Sequence, residues 1–466
     1  MAATAGRGQF VVIGGGAAGL AAAYELAGNG CTPIILEKTN SLGGLARTES
    51  YKGYLFDIGG HRFAAHCKAV EAAWRALLGD SLLHRQALSS IYYKGRLIHC
   101  PVEAGSAVRC LGLTESSRIC LSWACAKLWP SLPEETIENY IANRFGRRLF
   151  DTLFKPYIEK VWGIPCSELQ ADWAAPRMDG LSLAATALNL FRRSAERSEP
   201  PADCFCYPRF GPGMMWQAMQ RYVEDRGGAV RTDSEIVSIR RRGNHLDGVV
   251  VRHNGRQETV EGDGYLSSMP LADFVSRLTP PPSASVQSAA QRLRHRDFLT
   301  VCLIVRRSRL FPENWIYVPD PHLRVGRIQN FKNWSPDLVP DPDSTSLGLE
   351  YFCGEGDALW TMADADLIEL GTTELDRSGL ASRREVADGC VYRVPKAYPI
   401  HDADYRASRS LVRDFVMGLA NVQMIGRNGL HQYDSLDHAM LTGMLAVRNL
   451  LHGEDTDLWS VMGATR

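Results

Sequence analysis

The chain has 466 residues, 45% of them hydrophobic, with 52 lysines and arginines against 52 aspartates and glutamates. That length allows two or three domains with sizeable cores, and a formal charge of zero supplies no net field to draw in nucleic acid or an anionic membrane. No apolar run reaches the roughly 18 residues of a membrane helix, and the twelve cysteines form no CxxC pair, so neither a transmembrane segment nor a metal site is expected.

The first signal along the chain is FVVIGGGAAGLAAAYELAGNG, followed by PIILEK. Phe10 to Ile13 reads as a buried strand, and Gly14, Gly16 and Gly19 complete GxGxxG where it turns into an alanine-rich helix containing Ala18. Gly14 permits the tight turn, Gly16 lets the backbone approach a pyrophosphate at the helix N-terminus, and Gly19 allows the helix to pack closely on the sheet. Glu37, followed by Lys38, ends the next strand, where a carboxylate accepts from a ribose 2′-OH and repels a 2′-phosphate. A bound dinucleotide follows from the register of strand, glycines, helix and acid. No secretory signal precedes the strand, and with unpaired cysteines this predicts a reduced, cytoplasmic protein.

Next comes SLGGLARTESYKGYLFDIGGHRF, which a nicotinamide dehydrogenase does not need. Its second glycine pair, Gly43 and Gly44, with Leu45 and Arg47, resembles a segment of FAD enzymes of the amine oxidase and protoporphyrinogen oxidase superfamily. The resemblance implies FAD, with Gly44 and Arg47 along its phosphates and flavin edge. It also places Gly60 and His61, in Phe56-Asp57-Ile58-Gly59-Gly60-His61, beside the isoalloxazine ring. Imidazole titrates near neutral pH and can donate to a flavin or substrate oxygen, which makes His61 the candidate acid or base.

Residues 67–200 read as mainly helical, with a hairpin over Ser89 to Pro101 turning at Lys94-Gly95. Ile119 to Trp129 reads as a buried helix, with peripheral membrane contact as its alternative. A helix over Met214 to Arg226, strands at Ile236–Ile239, Gly248–His253 and Gln257–Val260, and the stretch Gly264 to Pro270 resemble the middle flavin-domain segment of the superfamily. There the backbone at the position of Ile236 meets the adenine. The triplet Arg240-Arg241-Arg242, beside a turn at Gly243-Asn244, reads as a solvated loop. Beyond Pro280-Pro281-Pro282 come strands at Phe298–Val305, Trp315–Val318 and Leu347–Cys353 and a helix near Asp364 to Ser378. Val422 to Arg427 reads as a strand ending at Gly426. Ser435 to Leu450 reads as a helix with small residues Ala439, Gly443 and Ala446, whose N-terminus, near Leu436, would face an anionic flavin pyrimidine.

Three further segments narrow the resemblance. Tyr157 to Pro165 (YIEKVWGIP), Asp172 to Arg177 (DWAAPR) and Gly426-Arg427 with Tyr433, Asp437 and His438 are similar to UDP-galactopyranose mutase and to bacterial FAD-dependent oxidoreductases found with glycan enzymes. That likeness implies an anionic, polyhydroxylated ligand held by Trp162, Arg177, Tyr398, Arg427 and Tyr433. Trp162 reads equally as core, Tyr398 as a turn tyrosine, Tyr433 as a buried tyrosine, and Arg427 as serving the flavin alone. Leu181 stands where the mutases carry a second arginine, and Ser435-Leu436 replaces their Asp-Met pair.

The expected fold class is α/β, an FAD-binding Rossmann-like (GR2-type) domain with a discontinuous α+β substrate domain. Its FAD segments are 1–66, 201–270 and 401–466, and its substrate segments 67–200, mainly helical, and 271–400, with the sheet. The expected function is an FAD-dependent oxidoreductase exchanging hydride between flavin N5 and a sugar-like or nucleotide-sugar small molecule. The alternatives are a flavin-dependent sugar mutase or epimerase and an amine or tetrapyrrole oxidase. With one dinucleotide fingerprint, re-oxidation falls to oxygen, another acceptor, or a visiting NAD(P)H.

Overall fold

The computed structural model describes residues 8–63, 67–100, 110–173 and 204–461. The apolar run Gln9–Ile13 pairs in parallel with Thr32–Leu36 on one side and Gly264–Ser267 on the other. Ala229–Arg231 and Val422–Met424 extend it at its edges, so a 5-stranded parallel sheet is drawn from separated stretches of the chain. Parallel strands need crossovers, and the crossovers bury the sheet under helices. The helix Ala17–Gly28 packs against both Gly213–Glu224 and Leu436–His452. At Gly443 a Cβ would meet the carbonyl oxygen of Ala18 at 2.3 Å, which explains the small residues of the last helix: the two backbones touch.

Beside this sheet, Arg256–Val260, His245–His253 and Ser234–Arg242 form an antiparallel meander joined by Leu278–Thr279. The Arg240-Arg241-Arg242 triplet is therefore strand rather than the expected loop. Ile239 is buried and keeps the ladder paired up to the turn, while Arg241 donates to the carbonyls of Pro280 and Gly243 at 2.8 and 2.7 Å.

The 7-stranded sheet runs in the order Val386–Pro399, His295–Val305, Thr345–Cys353, Arg327–Asn330, Trp315–Tyr317, then the hairpin Ser89–Tyr93 and Arg96–Cys100. Lys94 and Gly95, with φ of 47° and 78°, supply the left-handed pair that a two-residue hairpin turn requires. The helix Asp364–Arg377 covers one face of this sheet. An antiparallel pair that the sequence did not suggest, Leu82–Gln86 with Cys204–Pro208, ties two distant stretches together.

The helix Leu113–Leu128 is a correction. It was expected to be buried, yet Ile119 is its sole buried residue, and Leu121, Leu128 and Trp129 are 68%, 68% and 75% exposed. Apolar residues occupy its outer side as well, and its contacts fall on the short helices Ile137–Phe145 and Arg147–Leu149. Among the described residues no helix is long and apolar enough to cross a membrane.

Candidate functional site

At the carboxyl ends of the parallel strands, where open α/β sheets bind ligands, lies a cavity of about 600 Å³. Its floor is the first strand-to-helix turn. Gly14 has φ +98°, and a Cβ there would lie 2.3 Å from Ser268 Oγ. Gly16 faces open space, its nearest would-be neighbour being Gly44 Cα at 3.8 Å. Gly19 is not on the wall: a Cβ there would stand 2.0 Å from the carbonyl oxygen of Gly14, so it is the packing glycine of helix on turn. No side chain caps the helix Ala17–Gly28 and its first turn has no acid, which leaves its leading N–H groups for an anion.

Glu37 and Lys38 line one side, near Ile236. One Glu37 carboxylate oxygen accepts from the Gly15 N–H at 2.8 Å, and the other from the N–H and hydroxyl of Thr39 at 2.9 and 2.8 Å. The carboxylate is thus fixed, with lone pairs left for a ribose hydroxyl. The carbonyl of Ile236 accepts from Arg277 Nε at 2.9 Å, which steadies the backbone at that end.

The second glycine pair crosses above the first. Gly43 donates to the Gly15 carbonyl at 2.8 Å, its φ is +104°, and its lack of a side chain leaves room for the Trp216 ring, which a Cβ would meet at 2.3 Å. Trp216 Nε1 in turn donates to the Ala46 carbonyl at 2.7 Å. Gly44, Leu45 and Arg47 therefore form the opposite wall, and Arg47 is held by Glu49 at 2.5 Å and the Gly44 carbonyl at 3.0 Å. This open cradle, with N–H donors at one point and a carboxylate near one end, fits FAD, which Glu37, Gly14, Gly16, Gly44 and Arg47 would hold.

His61 lines the far end with Arg427, Gly426 and Leu436, while Ala18 sits under Gly426. Its Nε2 donates to the Leu45 carbonyl at 2.8 Å and is 3.2 Å from the Ile58 carbonyl. Burial, reinforced by the nearby Arg427 charge, pushes its pKa down to about 4. The imidazole is neutral and presents Nδ1 as an acceptor, so the donor role expected from sequence is already taken. Gly60 lies behind the wall, where a Cβ would meet Trp315 at 2.5 Å. Arg427 donates to the carbonyls of Ala397 at 3.3 Å and Asp434 at 2.6 Å, joining the C-terminal stretch to the large sheet.

Beyond this end lies a buried aromatic and arginine network. The Tyr398 and Tyr433 rings stack at 5.7 Å, and the Arg427 guanidinium lies 4.7 Å from the Tyr433 ring. Arg327 donates to the Tyr398 hydroxyl and to Glu350, each at 2.6 Å, and Gln329 donates to the other Glu350 oxygen at 2.5 Å. Trp162, 3% exposed, packs edge-on against Tyr398 and Tyr433 and does not reach the cavity wall. In the same YIEKVWGIP stretch, Lys160 Nζ donates to the carbonyls of Val318, Asp320, Leu323 and Val325, so the motif's lysine clamps a loop. Arg177 and Leu181 lie outside the described residues. Arg327, Glu350 and Gln329 escaped the sequence reading because they sit on ordinary strands without a motif.

A family model described as flavin-containing amine oxidoreductase matches residues 17–443. The coproporphyrinogen III oxidase of Mycobacterium tuberculosis (strain ATCC 25618 / H37Rv) is 26% identical over 181 residues, 36% of this chain and 40% of that protein. The match thus spans two fifths of that relative's length. Among solved structures, reduced UDP-galactopyranose mutase superposes with a TM-score of 0.84 at 19% identity, covering 98% of each chain. A protein of Exiguobacterium sp. 255-15, assigned as a protoporphyrinogen oxidase, superposes with a TM-score of 0.73 at 18% identity, covering 96% of this chain and 99% of the other. Likenesses at such identities show a shared fold.

Proposed function

This chain belongs to the flavin-containing amine oxidoreductases and is an FAD-dependent enzyme, and from that premise we propose that it exchanges hydride with a carbon of an anionic, sugar-like or nucleotide-sugar substrate. When bound, FAD supplies a hydride acceptor or donor at N5. Gly14, Gly16, Glu37 and Arg47 hold the dinucleotide, and the neutral His61 braces the wall beside it, its Nδ1 ready to accept a proton or hydrogen bond.

The observation that carries the reading is the pairing of Arg327 and Arg427 with Tyr398 and Tyr433 next to that end of the cavity. Guanidinium forks and phenol hydroxyls suit phosphate and sugar oxygens, and aromatic rings suit a sugar face. Leu181, standing where the resembling mutases have an arginine, favours net redox over ring isomerisation. A second reading, oxidation of a tetrapyrrole, is supported by the likeness to the mycobacterial coproporphyrinogen III oxidase.

Anaerobic mixing decides among them. Oxidised enzyme mixed with its substrate should lose flavin absorbance in one turnover, so a panel of nucleotide sugars is set against coproporphyrinogen. Bleaching by coproporphyrinogen alone selects the second reading. Efficient conversion of UDP-galactopyranose to the furanose by reduced enzyme, with no lasting redox change, selects a mutase instead.

A further inference from the structure

Two guanidinium groups face the indole of Trp315, Arg62 with Cζ at 4.5 Å from the ring centroid and Arg327 at 5.7 Å. Their counter-charges differ. Arg327 is ion-paired with the fully buried Glu350, whereas Nε and Nη2 of Arg62 are buried without a hydrogen-bond partner, and no carboxylate pairs with it among the described residues. The Phe205 ring also lies near it, at 5.7 Å. Cation–π contact recovers part of the desolvation cost but leaves directed donors unused. Buried donors in native proteins are satisfied as a rule, so a charged group left over marks a place where a partner arrives.

Arg62 directly follows His61, which lines the cavity, so the chain passes from the cofactor end to this guanidinium in one residue. We propose that Arg62 is an anion-recognition residue for the substrate, its guanidinium receiving a phosphate or carboxylate whose carbon skeleton reaches back past His61 to the cofactor. The inference rests on the reading of the site as one for an anionic substrate and names the residue that takes the charge. The planar fork matches both oxyanions, and the rings of Trp315 and Phe205 lie against it.

The test uses FAD-saturated holoenzyme titrated separately with inorganic pyrophosphate and with citrate, read by calorimetry and thermal melting. At least one anion should bind, and Arg62→Met should weaken that binding about 10- to 100-fold, with Arg62→Lys in between because it keeps the charge without the fork. Pyrophosphate preference identifies a phosphate ligand, and citrate preference a carboxylate. Without anion, Arg62→Met should melt at the same or a higher temperature, since it removes two buried donors that have no hydrogen-bond partner. A lower melting temperature for that variant, equal anion binding by wild type and variant, or no binding by wild type overturns the inference. Nucleotide-sugar turnover is scored apart. Arg62-dependent anion binding without such turnover removes the sugar reading and leaves this one, whereas full turnover by Arg62→Met removes this one and leaves the sugar reading.

Discussion

His61 and Leu45 are joined by a hydrogen bond from the imidazole Nε2 to the backbone carbonyl, 2.8 Å long, that ties the loop after Tyr54–Asp57 to the glycine loop over the first turn. The bond fixes the tautomer and explains how a histidine at a cofactor wall can be neutral and still structural.

Acid should therefore loosen the protein. His61 and His295 have native pKa values pushed down to about 4 from 6.5, in both cases chiefly by burial. Between those values the unfolded chain binds more protons than the native one, so stability falls as pH drops from 6.5 toward 4 and is flat above. Asp57, pushed up to about 7 by burial, acts with the opposite sign and loses stability as pH rises from about 4 to 7. Urea midpoints measured across this range should show a shallower acid limb in His295→Gln and a steeper one in Asp57→Asn.

Two glycines of the first turn should fail differently. Gly16→Val puts a side chain into open space where the pyrophosphate would lie, so the protein should fold but purify without FAD. Gly19→Ala forces a methyl onto the Gly14 carbonyl and should cost folding itself. Flavin absorbance and circular dichroism of the two variants separate these outcomes, and full FAD occupancy in Gly16→Val would contradict the assignment of the cradle.

Glu350 is fully buried and is the counter-ion of Arg327, whose side chain is 12% exposed. Removing it leaves a buried cation facing Trp315 and Phe352. Glu350→Ala should lower unfolding free energy by about 3–5 kcal/mol, measured by denaturant titration. A loss below about 1 kcal/mol, the size of a surface pair, would show that the network is far wetter than its burial suggests.

The sequence by itself determined the glycine-lined first turn, because that turn is local: strand, turn, helix and terminal acid lie within Gln9 to Glu37, and glycine spacing sets what the backbone can approach. It also exposed the hairpin at Lys94-Gly95 and the small-residue face of the last helix, since both depend on near neighbours in the chain. Tertiary structure alone decided the rest. Whether Ile119 to Trp129 is covered depends on what packs beside it, and periodicity cannot supply that. The YIEKVWGIP stretch showed that its residues matter, yet only folding revealed that Lys160 clamps a loop and Trp162 fills core. Arg327 meets Glu350 from a neighbouring strand, 23 residues away along the chain, and Arg62 meets Trp315 across some 250. A charge acquires its meaning from its counter-charge, and the counter-charge is delivered by the fold.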